Sequence, residues 1–156
     1  MGKSHLIRTM LIPMVGKHEY HRSPEGIGTL KQGTHHIIDD FDKIPIREID
    51  TKILSGIQSI AMAGRHTNTG LSIVVHHPTF TNKEFRLTPD HIFCFRQPSG
   101  AAAHWLRTYF GRNVNLLPSL PKTEFLLYSG RSGIFRCRLE LRGQRWNLIG
   151  GPLGSG

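Results

Sequence analysis

Cysteine is nearly absent: Cys94 and Cys137 are the only two in 156 residues. Two thiols cannot build a multi-bridge framework. Both stand in apolar, strand-like runs, which reads as a buried pair of free thiols and a reducing compartment. Long apolar runs are also missing. Nothing approaches the ~20 residues of a membrane span, and the apolar stretch Leu11–Val15 is too short for a secretory signal and is broken by Pro13. The opening Met1-Gly2-Lys3-Ser4-His5-Leu6 has a glycine at position 2, but Leu6 stands where a myristoylation signal wants Ser or Thr.

Acidic residues are few. Eleven Asp and Glu face twenty Lys and Arg, for a formal charge of +9 and a pI near 10.2, so the expected partner is negative. The imbalance is local. Residues 1–85 carry ten cations against eight acids, whereas residues 86–156 carry ten against three, and nine of those ten are arginine. Arginine's planar fork suits phosphate and carboxylate, so the bias points to oriented contacts with a polyanion.

Among the features present, the run Ile134-Phe135-Arg136-Cys137-Arg138-Leu139-Glu140-Leu141-Arg142 alternates most clearly. Phe135, Cys137, Leu139 and Leu141 fall on one strand face, and Arg136, Arg138, Glu140 and Arg142 on the other. Thr123–Tyr128 reads as its partner strand, with Ser129–Gly133 as the hairpin loop. Ile46, Ile49, Ile53, Ile57 and Ile60 form a helical stripe that starts after Pro45, stops at Gly64 and packs on a sheet. A second helix is expected from Gly100 to Phe110, capped by Ser99 and stopped by Gly111.

Further strands are expected at His5–Ile12, Thr34–Ile38, Leu71–Val75, Ile92–Arg96 and, in short form, Phe85–Leu87. Residues 16–33 hold five glycines or prolines and read as a loop free to move. Strands and helices do not alternate regularly, so the expected class is α+β. It would be a single domain over residues 1–149, mostly antiparallel sheet with two main helices on it, and a flexible tail over 150–156.

The search for catalytic chemistry yields little. Ten histidines include His18-x-x-His21, His35-His36 and His76-His77, yet no second element completes a zinc set, and no metal or other cofactor is expected. Asp39, Asp40 and Asp42 lack a calcium-loop pattern and read as a solvated approach to the first helix. His21-Arg22-Ser23 and His77-Pro78-Thr79 both fit His-x-Ser/Thr, the paired motif of two-histidine phosphoesterases, which gives an enzymatic alternative. With no phosphate-cradling glycine loop and no nucleophile elbow, the primary expectation is a protein without catalytic residues.

Three segments resemble the matrix proteins of non-segmented negative-strand RNA viruses, of the rhabdovirus and bornavirus kinds. They are Ile60–Arg65 running into Leu71–Val75, Tyr128–Arg131 running into Ile134–Leu141, and the tail Ile149–Gly154. The resemblance implies a small basic α+β protein that self-associates beneath a lipid envelope and touches the nucleocapsid. No Pro-Pro-x-Tyr or Pro-Thr/Ser-Ala-Pro motif is present.

The resulting expectation is a non-enzymatic, self-associating, matrix-like protein, located in the cytoplasm or virion at the inner membrane face and not secreted. Its basic face would engage anionic lipid or viral RNA and nucleoprotein. The expected contacts are Arg131, Arg136, Arg138, Arg142 and Arg145, supported by Arg107 and Arg112, with Trp146 as a stacking residue. A soluble, sequence-tolerant RNA-binding module is the alternative binding function.

Overall fold

The computed structural model describes residues 3–77, 89–97, 103–142 and 145–154, with the side chains of residues 103, 145 and 146 left out. The fold is mixed α+β, as the sequence implies, with its strands in two sheets, one parallel and one antiparallel. The chain divides into two compact units: residues 1–10 with 90–156, and residues 11–89. No helix among the described residues is long and apolar enough to cross a membrane.

The unit of residues 11–89 is built on three parallel strands in the order β1 (His18–His21), β2 (His35–Ile38) and β3 (Gly70–Ile73). Parallel neighbours need a crossover between them. Between β2 and β3 it carries the isoleucine-striped helix α3 (Thr51–Ala63), numbered after two short N-terminal helices, α1 (Lys3–Leu6) and α2 (Ile12–Val15). Ile49, Ile53 and Ile57 bury against Ile27, Ile38 and Phe41.

Helix α3 starts later than the Pro45 signal suggests. Residues Ile46–Glu48 form a 3-10 turn and Ile49 is extended. Asp50 then caps the helix, its carboxylate accepting from the N–H groups of Lys52 at 2.9 Å and Ile53 at 3.3 Å. Gly56 in mid-helix has a packing reason: a Cβ there would meet Leu30 Cδ1 at 3.2 Å, so the helix accepts the 16–33 segment against it. That segment also contributes β1, which the sequence reading left within a loop.

In the other unit, β4 (His91–Phe95), β5 (Glu124–Ser129), β6 (Gly133–Arg142) and β7 (Arg145–Leu153) form an antiparallel meander. The hairpin pairs Ser129 with Gly133 and Phe125 with Cys137. Cys94, Leu106, Phe110, Val114, Leu117, Leu120 and Leu126 form one core, using helix α4 (Ala103–Phe110) and the 3-10 segment Gly111–Ser119. Leu6, Phe125, Cys137 and Leu139 form another. Both cysteines are buried and free.

Two further expectations differ from the structure. His5–Ile12 is helical: α1 runs through a π-helical turn (Ile7–Leu11) into α2, which contains Pro13. The helical spacing of Leu6 and Met10 puts both against Phe125 and Leu139, a demand of tertiary packing that local β-propensity cannot express. The expected tail is partly ordered, because Gly150–Leu153 pair with Ile134–Cys137. A Cβ at Gly150 would lie 2.6 Å from Cys137 Sγ, so glycine is what lets that strand close. Phe85–Leu87 and the Ser99 cap lie outside the described residues.

Candidate functional site

The apolar core of β2 ends abruptly in acid. Ile37 and Ile38 are wholly buried, as suits a central parallel strand covered on both faces. Asp39 and Asp40 follow where the chain leaves the sheet. In open α/β sheets ligands bind outside the carboxyl ends of the strands, and the backbone fixes that end firmly. Asp39 N–H donates to His21 O at 2.8 Å on the β1 side, and Val74 N–H donates to Ile38 O at 2.9 Å on the β3 side.

Each carboxylate has a defined setting. Asp39 is buried, accepting from Tyr20 Oη–H at 2.6 Å on Oδ2 and from the Asp40 N–H at 3.0 Å on Oδ1. Asp40 is half-exposed and left-handed (φ 42°), a conformation that aspartate tolerates better than most residues. Its Oδ1 meets His76 Nε2 at 2.8 Å. Asp42 Oδ2 accepts the N–H groups of His76 at 2.9 Å and His77 at 2.8 Å, tying the chain after β3 to the chain after β2. Its Oδ1 is buried with no hydrogen-bond partner among the described residues. Three carboxylates thus follow the end of β2, where the sequence predicts a solvated helix approach.

One sequence signal marks this region, the apolar strand His36-Ile37-Ile38 ending in Asp39-Asp40. The open cleft lined by Lys17, His35, Arg65 and Asn68 lies at the opposite, amino-terminal end of the strands, since His35 and Gly70 begin β2 and β3.

The expected arginine face lies in the other unit. Arg136, Arg138 and Arg142 stand exposed on β6, and Arg131, Arg107 and Arg112 are exposed as well. The β6 arginines have acidic neighbours. Arg136 Nε lies 2.6 Å from Glu124, and Arg138 and Arg142 both pair with Glu140, the latter at 3.4 Å. The side chains of Arg145 and Trp146 lie outside the described residues. Of the two His-x-Ser/Thr motifs, His21 turns its ring to His36, and Pro78 and Thr79 lie outside the described residues.

No protein-family model matches this chain, and no curated protein matches it. Solved structures do. The genome-packaging NTPase B204 of Sulfolobus turreted icosahedral virus 2, in complex with ATP-gammaS, superposes with a TM-score of 0.65 at 15% identity, over 97% of this chain and 92% of that one. B204 of Sulfolobus Turreted Icosahedral Virus, a DNA-packaging ATPase, gives 0.53 at 18% identity, over 78% of this chain and 53% of its own length. The pCW3 conjugation coupling protein TcpA, with ATPgS, gives 0.52 at 18% identity, over 66% of this chain and 31% of its own.

These likenesses correct the matrix-protein resemblance and the functions drawn from the sequence. The two B204 proteins are a packaging NTPase and a packaging ATPase, and TcpA is a conjugation coupling protein solved with ATPgS; none is a matrix protein of a negative-strand RNA virus. The non-enzymatic, matrix-like reading falls with that resemblance. The three resembling segments were short, and each is an ordinary helix end, hairpin or glycine-rich strand, which many folds contain.

Proposed function

We propose that this chain carries the acidic strand end of a nucleoside-triphosphate-hydrolysing unit of the genome-packaging kind. The observation that carries the reading is Asp39: a buried carboxylate at the carboxyl end of the central parallel strand, oriented by Tyr20, with Asp40 beside it. The likeness to packaging NTPases supports it at the level of fold.

The donor set fits a magnesium ion arriving with the nucleotide. Mg2+ takes hard oxygen ligands and keeps several waters, so one or two carboxylates suffice. Asp39 retains lone pairs after its two hydrogen bonds, and His76 Nε2 pairs with Asp40. Asp39 would hold the ion directly or through water. The ion would neutralise charge developing on the phosphate oxygens.

The remaining chemistry belongs to Asp40. His76 occupies Oδ1, which leaves Oδ2 to accept a proton from an attacking water as the new phosphorus–oxygen bond forms and the diphosphate leaves. The test is Mg2+-dependent binding of a fluorescent ATP analogue together with phosphate release. Asp39→Ala is expected to abolish the Mg2+ dependence, and Asp40→Asn to lower turnover about a hundredfold with binding retained. Binding that ignores both substitutions refutes the site.

The expected arginines fit the same reading as contacts for nucleic-acid phosphates: Arg136, Arg138 and Arg142 on β6, with Arg131, Arg145, Arg107, Arg112 and Trp146 as further candidates. Two acids interrupt the row, so the interaction would be weak and strongly salt-dependent. Arg136→Glu with Arg138→Glu should remove retention on DNA at low salt. Unchanged retention would assign these arginines to intramolecular pairing with Glu124 and Glu140.

A further inference from the structure

A second cluster of chemistry-bearing side chains sits on the opposite face of β1 and β2 from Asp39, and it takes no part in the proposed hydrolysis. The register pairs Glu19 with His36 and His21 with Ile38. Neighbours in a parallel ladder, and residues two apart along a strand, share a face. Glu19, His21 and His36 therefore converge on the face where Ile38 packs against α3. One ligand atom from each lies within 4.8 Å of the others.

The geometry points to a transition-metal site: we propose that His21 Nε2, His36 Nδ1 and Glu19 Oε2 bind one divalent first-row ion of the zinc class, with a water completing the shell.

Three observations carry this. First, His36 is wholly buried, and its Nε2 meets the Lys31 carbonyl at 2.9 Å. A carbonyl only accepts, so Nε2 carries the proton and Nδ1 is left as a bare lone pair aimed into the cluster. An outer-shell carbonyl that fixes the tautomer of a ligating histidine is the usual support of such sites. Second, the gap between His21 Nε2 and His36 Nδ1 is 3.3 Å. Two nitrogens each about 2.0–2.1 Å from a tetrahedral zinc stand about 3.3 Å apart. That spacing is long for a good N–H···N hydrogen bond and right for a shared ion. Third, Glu19 Oε2 lies 3.8 Å from His36 Nδ1, while Oε1 is held by Lys31 Nζ at 2.7 Å, so one carboxylate oxygen is anchored and the other faces the histidines.

Burial, then the neighbouring His36, keeps the His21 pKa below its ordinary value, and the Lys31 hydrogen bond lowers that of Glu19. On binding, the ion takes the place of the proton between the two rings, and His21 carries its own proton on Nδ1. Two imidazoles and a carboxylate suit zinc, nickel or cobalt better than magnesium or calcium.

The test uses the full chain, free of any histidine tag and stripped with a chelator. It is titrated with Zn2+ against a chromophoric competitor and, separately, with Co2+ to read the visible bands of a low-coordinate site. One equivalent is expected to bind. His21→Ala and Glu19→Ala should each weaken it about tenfold or more. His18→Ala and His91→Ala, at exposed histidines outside the cluster, should leave it unchanged.

Lys31→Met keeps the backbone carbonyl but removes the anchor on Glu19 Oε1, and it should weaken binding several-fold. It tests the proposal without removing a ligand, should a ligand variant fail to fold. Zn2+ affinity that is the same in wild type and His21→Ala would overturn the assignment and leave a neutral histidine pair beside an ion pair. Absence of stoichiometric binding would do the same.

Discussion

Tyr20→Phe isolates the interaction that positions Asp39. The substitution keeps the ring and removes one hydroxyl, so packing changes little and the loss is the 2.6 Å hydrogen bond to Asp39 Oδ2. Hydrogen bonds to charged groups are worth about 1.5–3 kcal/mol, and a buried acceptor left short of partners bears most of the loss. Tyr20 is 43% exposed, so water replaces part of the bond, and about 1–1.5 kcal/mol is expected. That corresponds to about a tenfold rise in opening of the β1–β2 pairing.

Hydrogen exchange of peptides spanning residues 18–38, read by mass spectrometry, reports the change locally. A double-mutant cycle with Asp39→Ala assigns the loss to the pair, since Tyr20→Phe should then cost nothing further. Exchange that rises equally in both backgrounds, or in neither, would show that Tyr20 does not orient Asp39 and would remove the physical basis of the proposed magnesium ligand.

Ile57→Ala should destabilise the parallel-sheet unit by about 2–5 kcal/mol, because Ile57 is wholly buried between α3 and the sheet; chemical denaturation followed by far-ultraviolet circular dichroism measures it. Gly150→Ala should loosen the β6–β7 pairing, since its Cβ would meet Cys137 Sγ at 2.6 Å and the Arg136 carbonyl oxygen at 3.2 Å, and exchange of β7 amides should rise selectively. Burial lowers the pKa of both His21 and His35, so below about pH 6.5 the unfolded chain takes up protons that the folded chain resists. Melting temperature should therefore fall as pH drops from 7.5 to 5.5, less steeply in His21→Gln, and a flat profile would contradict the burial of these rings. The Cys94 thiol, pushed by burial up to about 12, should resist an aromatic disulfide reagent at pH 8 until the chain is denatured.

The contrast between legible and hidden elements has physical causes. The β5–β6 hairpin was legible because Phe135, Cys137 and Leu139 alternate with charged residues and a short polar loop sets their register, all within one local stretch. Helix α3 was legible from five isoleucines at helical spacing, although its start was not, since Asp50 capping outweighed Pro45. The opening helix was hidden because Leu6 and Met10 take their meaning from Phe125 and Leu139, more than a hundred residues away. Strand β1 was hidden for a similar reason. Its alternation His18-Glu19-Tyr20-His21 contains no aliphatic residue, and it becomes a strand only by pairing with β2.

Asp39 and Asp40 show the same limit at the level of chemistry. As sequence they are two acids before a helix, a pattern that solvation explains. Their character comes from pairing across the sheet. With Tyr20 opposite Ile37, the tyrosine shares a face with Asp39, and with Glu19 opposite His36, the carboxylate shares the other face with both histidines. A slip of one residue would exchange the faces, placing Tyr20 toward α3 and Glu19 toward Asp39, where two carboxylates would repel. Both clusters therefore depend on one register, and that register is specified where burial is greatest: Ile37 and Ile38 are each wholly buried on opposite sides of β2. The apolar strand does more than support the acids at its end. By fixing which side chain faces which, it separates a carboxylate site on one face from an imidazole site on the other.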